Sequence, residues 1–92
     1  MNAIIRGQYY LLTNYVDVFK QGQELVFYHE EVLDGERRVF DGATEEDVLK
    51  VLIDRFKYLN KRDGCSVYDT VIEKLEESLI LLLARKAGME SN

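Results

Sequence analysis

The chain has 92 residues, with 17 acidic against 12 basic side chains and a formal net charge of −5. A chain of this length provides one domain, which buries only about 60–65% of the surface that its unfolded chain exposes. The acidic balance argues against binding of nucleic-acid polymers, which requires a broad basic surface. The composition therefore predicts a single domain over residues 1–92 that does not bind DNA or RNA polymers.

Small domains usually gain stability from disulfides, a metal ion or a partner chain. Cys65 is the only cysteine and His29 the only histidine, so no intrachain disulfide can form and no recognised set of metal ligands is present. Self-association remains, and we expect a homo-oligomer without metal or cofactor. The lone cysteine, and the lack of a signal pattern or membrane span, predict a cytoplasmic protein with no membrane partner.

The N-terminal part of the chain, residues 8–40, favours β-structure. Residues 9–20 and 24–33 are rich in aromatic and β-branched side chains, which suits two strands. Asp34-Gly35 is a strong signal for a two-residue hairpin turn, because both residues of a type I′ turn need positive φ. A short third strand is predicted over residues 37–40. We therefore expect a small antiparallel sheet of about three strands.

Residues 44–87 predict an antiparallel hairpin of two helices. Thr44 suits an N-cap, and apolar side chains then recur at helical spacing to about residue 60. Residues 61–64 break the pattern. Ser66 suits the cap of a second helix that runs to about residue 87, where Gly88 suits a stop. The predicted fold class is α+β, with the sheet preceding the helical hairpin.

The C-terminal half of the second predicted helix contains a continuous apolar run. A tight core could bury all of it, but one sheet and one neighbouring helix cover only part of a helix's circumference. An exposed patch of this size would favour aggregation. We therefore expect the outer side of the run to pack on another subunit, and we call these five residues the leucine band: Leu79, Ile80, Leu81, Leu82 and Leu83.

Catalytic chemistry has little support in the sequence. His29 lies in a predicted strand, where a histidine is more often packed than a general base. Cys65, in the loop between the helices, has no histidine near it in sequence and is expected to be inert. The turn glycines are isolated, so no glycine-rich phosphate loop is present. We predict a protein that binds without catalysing a reaction.

Basic and aromatic residues near the turns are better candidates for a binding site. Basic residues at a helix C-terminus have an ordinary explanation, since they complement the helix dipole. Arg55 is harder to explain in this way, because it lies beside the apolar stripe of the first helix and Asp54 cannot face it. The candidate ligand-binding residues are Arg37, Arg38, Arg55, Tyr58, Lys61, Arg62, Tyr68 and Arg85.

About half of the chain resembles the phage immune-evasion proteins called Thoeris anti-defence sponges, which share a helical hairpin with the anti-CBASS sponges. The resemblance covers the entry to the first helix (residues 42–49, GATEEDVL), the helix itself (residues 52–60, LIDRFKYLN), and Cys65 followed by residues 72–79 (IEKLEESL). The order and spacing of these segments carry the resemblance. Members usually have Arg-Glu-Asn after the cysteine and a charged tail, where this chain has Ser-Val-Tyr (residues 66–68) and a short end.

The resemblance implies dimers or hexamers that capture nucleotide-derived signals of bacterial immunity in an infected host cell. The implied ligands are cyclic ADP-ribose variants or cyclic oligonucleotides, held without cleavage. Arginine forks and aromatic rings suit a ligand with two phosphates and two bases. The alternative hypothesis is a phage-encoded inhibitor that binds a host defence protein directly through its own surface.

Overall fold

The computed structural model describes residues 1–17, 19–20 and 22–90. The chain forms two compact units, Met1–Thr44 and Glu45–Asn92. Among the described residues, the first unit contains five strands in two small antiparallel sheets, and the second contains two α-helices. The α+β class, with antiparallel β-structure preceding two helices, is therefore confirmed.

The first sheet has three strands in the order β1 (Asn2–Ile5), β2 (Tyr9–Leu11) and β3 (Glu24–Val26). β1 precedes the predicted β part and was missed. The prediction of a strand over residues 9–20 is wrong after Leu11, and Val18 lies outside the described residues. The side chain of Asn14 accepts hydrogen bonds from the amides of Val16 (3.1 Å) and Asp17 (3.0 Å). Such local bonds compete with a β-ladder and turn the chain instead.

The second sheet is a hairpin of β4 (His29–Leu33) and β5 (Glu36–Phe40). The predicted single strand over residues 24–33 is therefore divided into β3 and β4. Backbone bonds to Ala43 explain the division, because Tyr28 N–H donates to the Ala43 carbonyl and Ala43 N–H donates to the Val26 carbonyl, both at 2.8 Å. The predicted turn is confirmed, with φ of 53° at Asp34 and 79° at Gly35.

The second unit contains α1 (Glu45–Asp63) and α2 (Ser66–Glu90), joined at Gly64. α1 begins directly after Thr44, as predicted. The predicted cap of α2 is wrong by one residue, because the carbonyl of Cys65 accepts the first helical bond from Tyr68 N–H at 3.0 Å. Gly88 does not stop α2, which continues to Glu90. Neither helix within the described residues is long and apolar enough to cross a membrane.

The two helices pack through a narrow apolar seam. Ile53, with 8% of its surface exposed, is the only buried apolar residue among the described residues. Phe56 and Tyr68 add a ring contact with centroids 5.5 Å apart. The ion pair Lys57–Glu76 (3.4 Å) links the helices at the edge of the seam. Among the described residues the seam thus buries only Ile53 almost completely, which leaves much apolar surface uncovered.

We predict opposite effects of alanine at two glycines. A Cβ at Gly42 would lie 2.4 Å from the Phe27 carbonyl carbon, whereas nothing lies within 4 Å of a Cβ at Gly88. Gly42→Ala should lower the free energy of unfolding by about 1–3 kcal/mol through this backbone clash. Gly88→Ala should leave it unchanged or raise it by up to about 1 kcal/mol, since alanine favours helix. Urea denaturation followed by circular dichroism measures both, and equal effects would contradict the described backbone.

Candidate functional site

The side of α1 that faces away from α2 carries three of the eight candidate residues. Val51, Arg55, Tyr58 and Arg62 are spaced four, three and four residues apart, which places them on one side of the helix. Ile53 lies on the opposite side, at the seam with α2. Val51, Arg55, Tyr58 and Arg62 are all exposed. We call this surface the outer face of α1.

Arg55 and Tyr58 contact each other on the outer face. The guanidinium carbon of Arg55 lies 5.9 Å from the centroid of the Tyr58 ring, within the range of a cation–π interaction. The pair lines an open depression of about 600 Å³. Its lining residues are Lys50, Val51, Asp54, Arg55 and Tyr58.

The charges of this depression favour an anion. Lys50 and Arg55 supply two cations against the single carboxylate of Asp54. Within the described part of the chain, the salt bridges include neither Lys50 nor Arg55. A guanidinium can donate a two-pronged hydrogen bond to a phosphate, and an exposed phenol ring can stack on a base. The depression therefore suits a ligand that combines an aromatic ring with a negative charge.

Lys61 and Arg62 extend the outer face toward the end of α1. Arg62 donates from Nε (2.9 Å) and Nη2 (3.0 Å) to the carboxylate of Asp63. These hydrogen bonds raise the pKa of Arg62 above its usual value and lower the pKa of Asp63. A ligand at Arg62 would compete with Asp63, whereas Lys61 makes no salt bridge in the described part of the chain.

Tyr68 has a packing role in the structure. Its ring lies against Phe56 across the seam between the helices, and it is half-buried. One side of the ring is therefore occupied. Tyr68 and Tyr58 do not form a joint stacking surface, because Phe56 and Tyr58 project from different sides of α1.

Arg37 and Arg38 lie on β5, in the other compact unit. Neighbouring residues of a strand point to opposite faces, so the two guanidinium groups do not converge. Arg37 forms an ion pair with Glu30, and this hydrogen bond lowers the pKa of the glutamate and raises that of the arginine. Arg38 lies opposite Glu31 in the ladder. Both arginines thus have acidic neighbours.

Arg85 lies at the opposite end of the hairpin from Lys61. It lines a separate depression of about 440 Å³, together with Glu45, Glu46, Leu82 and Lys86. Glu46 and Lys61 are 15 residues apart on α1, which corresponds to about 22 Å. One copy of the hairpin therefore does not bring Arg85 into contact with the outer-face residues. Lys50 and Val51, which line the Arg55–Tyr58 depression, were missed. Helical spacing signalled Val51, four residues before Arg55 and seven before Tyr58, but not Lys50.

The leucine band divides into two sides. Leu79 and Leu82 are half-buried, and Leu79 lines a groove with Ile53. Ile80 and Leu81 are 64% and 70% exposed, and Leu83 is also exposed. The hairpin seam therefore covers only part of the band. Its outer side remains a candidate surface for association.

Comparison of the chain with protein-family models, curated proteins and solved structures finds no significant match. No group of three or more potential metal ligands occurs within the described residues.

We predict different outcomes for glutamate on the two sides of the leucine band. Leu81→Glu adds a charge to an exposed position and should reduce the sedimentation mass while preserving helicity. Leu79→Glu places a charge at the half-buried seam and should destabilise the hairpin by several kcal/mol. Analytical ultracentrifugation and circular dichroism separate the two effects. A wild-type chain that sediments as a monomer at high micromolar concentration would contradict association through the band.

Proposed function

We propose that the protein binds and sequesters nucleotide-derived signals of bacterial immunity without transforming them, and that it does so as a homo-oligomer. The observation that carries this proposal is the Arg55–Tyr58 pair in the open depression on α1. Both residues also fall within residues 52–60, the part of α1 that resembles the anti-defence sponges. The proposed ligands are cyclic ADP-ribose variants or cyclic oligonucleotides.

The chemistry of the pair matches the two components of such a ligand. A phosphate has oxygens that accept from the Arg55 guanidinium, and Lys50 adds a second positive charge beside it. A base can stack on the exposed ring of Tyr58, where stacking contributes about 1–3 kcal/mol per base. The residues lining the depression include no serine, cysteine or histidine, which favours binding over nucleophilic catalysis.

Oligomer formation would complete the proposed site. The depression is walled by a single helix, whereas typical ligand sites bury about 70–90% of the ligand surface. A second copy could supply the missing wall, and the exposed side of the leucine band offers apolar surface for such association. The proposed oligomer would thus cover both the open depression on α1 and the exposed side of the leucine band.

Arg55→Ala and Lys57→Ala form a matched test of the proposed site. Both changes remove one positive charge from α1, but Lys57 is paired with Glu76 at the seam (3.4 Å) and lies outside the Arg55–Tyr58 depression. Arg55→Ala should weaken binding about 10- to 100-fold, since a charge-assisted hydrogen bond contributes about 1.5–3 kcal/mol. Lys57→Ala should change it less than about threefold.

Isothermal titration calorimetry with a panel of cyclic nucleotides measures both constants, after a thermal-shift screen selects the ligand. Tyr58→Phe should retain binding and Tyr58→Ala should lose it, because stacking needs the ring and not the hydroxyl. Mass spectrometry of the ligand released by heat should find it intact. Equal losses for Arg55→Ala and Lys57→Ala would indicate diffuse charge, and a cleaved ligand would indicate an enzyme.

A second candidate function is direct inhibition of a host defence protein. One observation favours it: the segment between β2 and β3 presents Tyr15 and Phe19 with 98% and 97% of their surfaces exposed. Aromatic side chains of this kind are frequent anchors in protein interfaces. The double variant Tyr15→Ser/Phe19→Ser should then abolish inhibition while leaving nucleotide binding unchanged.

A phage-challenge assay in cells that carry a nucleotide-signalled defence system separates the two functions. Sequestration is supported if Arg55→Ala no longer protects the phage from the defence system while Tyr15→Ser/Phe19→Ser still does. The reverse pattern supports direct inhibition.

A further inference from the structure

The strand β5 has an edge without a partner strand. β4 and β5 pair only with each other among the described strands. All five residues of β5 are exposed, whereas His29 and Glu31 of β4 are half-buried. An isolated two-stranded ribbon is marginally stable in water, and a third strand or a covering surface normally supports it. β5 is thus open to pairing with another chain.

The two-residue turn determines which backbone groups of β5 point outward. A two-residue turn makes the flanking residues, Leu33 and Glu36, a hydrogen-bonded pair. Hydrogen-bonded and non-hydrogen-bonded pairs alternate along an antiparallel ladder, and the register runs from Leu33–Glu36 to His29–Phe40. The N–H and C=O groups of Arg37 and Val39 therefore point away from β4. An added strand could bond to them without disturbing the β4–β5 ladder.

The edge of β1 is less suited to strand addition. β1 also has four exposed residues, but its register with β2 shifts between Ala3 and Ile5. Irregularities of this kind protect an edge from pairing. The register of β5 is unbroken over its five residues.

We infer that β5 pairs antiparallel with β5 of a second copy, about a two-fold axis through Arg37. Glu36 then lies directly opposite Arg38 of the second copy, and the same contact is repeated across the axis. Both residues belong to non-hydrogen-bonded pairs in the new ladder, where side chains approach most closely. Opposite charges facing each other across strands stabilise a sheet, so the charge pattern of β5 complements itself in this register.

The charge of Arg37 is compatible with its place on the axis. Two copies of Arg37 would face each other there, but each is already paired with Glu30 of its own chain. In this register Val39 lies opposite Gly35 of the second copy's turn, so residues 36–38 of the two β5 strands face each other over only about 10 Å. This edge buries less than the roughly 800 Å² per partner of a standard interface. The contact is therefore weak by itself and acts together with other surfaces. It does not depend on the proposed nucleotide ligand.

Cysteine cross-linking tests the register directly. Residues of a hydrogen-bonded pair have Cα atoms about 5.5 Å apart, which suits a disulfide. In the full chain with Cys65→Ser, Arg37→Cys should form a disulfide-linked dimer under mild oxidation. Val32→Cys is the matched control. Val32 pairs with Arg37 in the β4–β5 ladder, and its backbone N–H and C=O groups also point outward, but from the opposite edge of the hairpin, on β4. Equal cross-linking of the two variants, or none with Arg37→Cys, would overturn the inference.

Reversal of the charge at residue 36, with Arg37 unchanged, provides a second test of the β5 pairing. Glu36→Lys should raise the dissociation constant of the β5 contact at least about tenfold, since two attractive cross-strand pairs become repulsive. Sedimentation equilibrium measures the constants, and circular dichroism verifies that each variant is folded. No change in Glu36→Lys would show that β5 does not pair with its own copy.

Discussion

The narrow seam between α1 and α2 is the contact on which the site depends. Ile53 is the one residue of this seam with less than a tenth of its surface exposed, and the Phe56–Tyr68 ring contact supports it near the turn. These contacts fix which side of α1 faces inward. The outer face of α1, with Arg55 and Tyr58, follows from that orientation, because helical periodicity places it opposite the seam.

A small seam has a consequence for association. Apolar side chains such as Ile80 and Leu81 remain exposed on α2, and β5 remains exposed on the sheet. Exposed apolar patches and open strand edges are both surfaces on which chains associate. The proposed oligomer would use the first of these surfaces and the proposed β5 pairing the second. Each would shield surface that the small interior of one copy cannot cover.

The proposed binding chemistry requires little of the fold. A cation and an exposed ring one helical turn apart are enough to hold a charged aromatic ligand loosely. Tight binding of the ligand needs more contacts than Arg55 and Tyr58 provide. Within one copy, two further candidate residues, Arg85 and Tyr68, do not supply them. Arg85 lines a depression with Glu46, which is 15 residues and about 22 Å from Lys61 along α1. One side of the Tyr68 ring contacts Phe56. A second copy is the simplest source of the missing contacts.

The sequence by itself determined the α+β class, the helical hairpin, its start after Thr44 and the turn at Asp34-Gly35. These features rest on local signals, namely helical periodicity, a cap and positive φ, which need no distant partner. Tertiary structure decided the rest. The backbone bonds of Ala43 divided the strand predicted over residues 24–33, and the residue pattern does not reveal these bonds. The early end of the strand predicted over residues 9–20 has a local cause instead, the hydrogen bonds that the Asn14 side chain accepts from Val16 and Asp17. The packing of α2 on α1 also decided which leucines are half-buried and that Arg85 lies apart from Arg55, because such placements depend on contacts between residues distant in sequence.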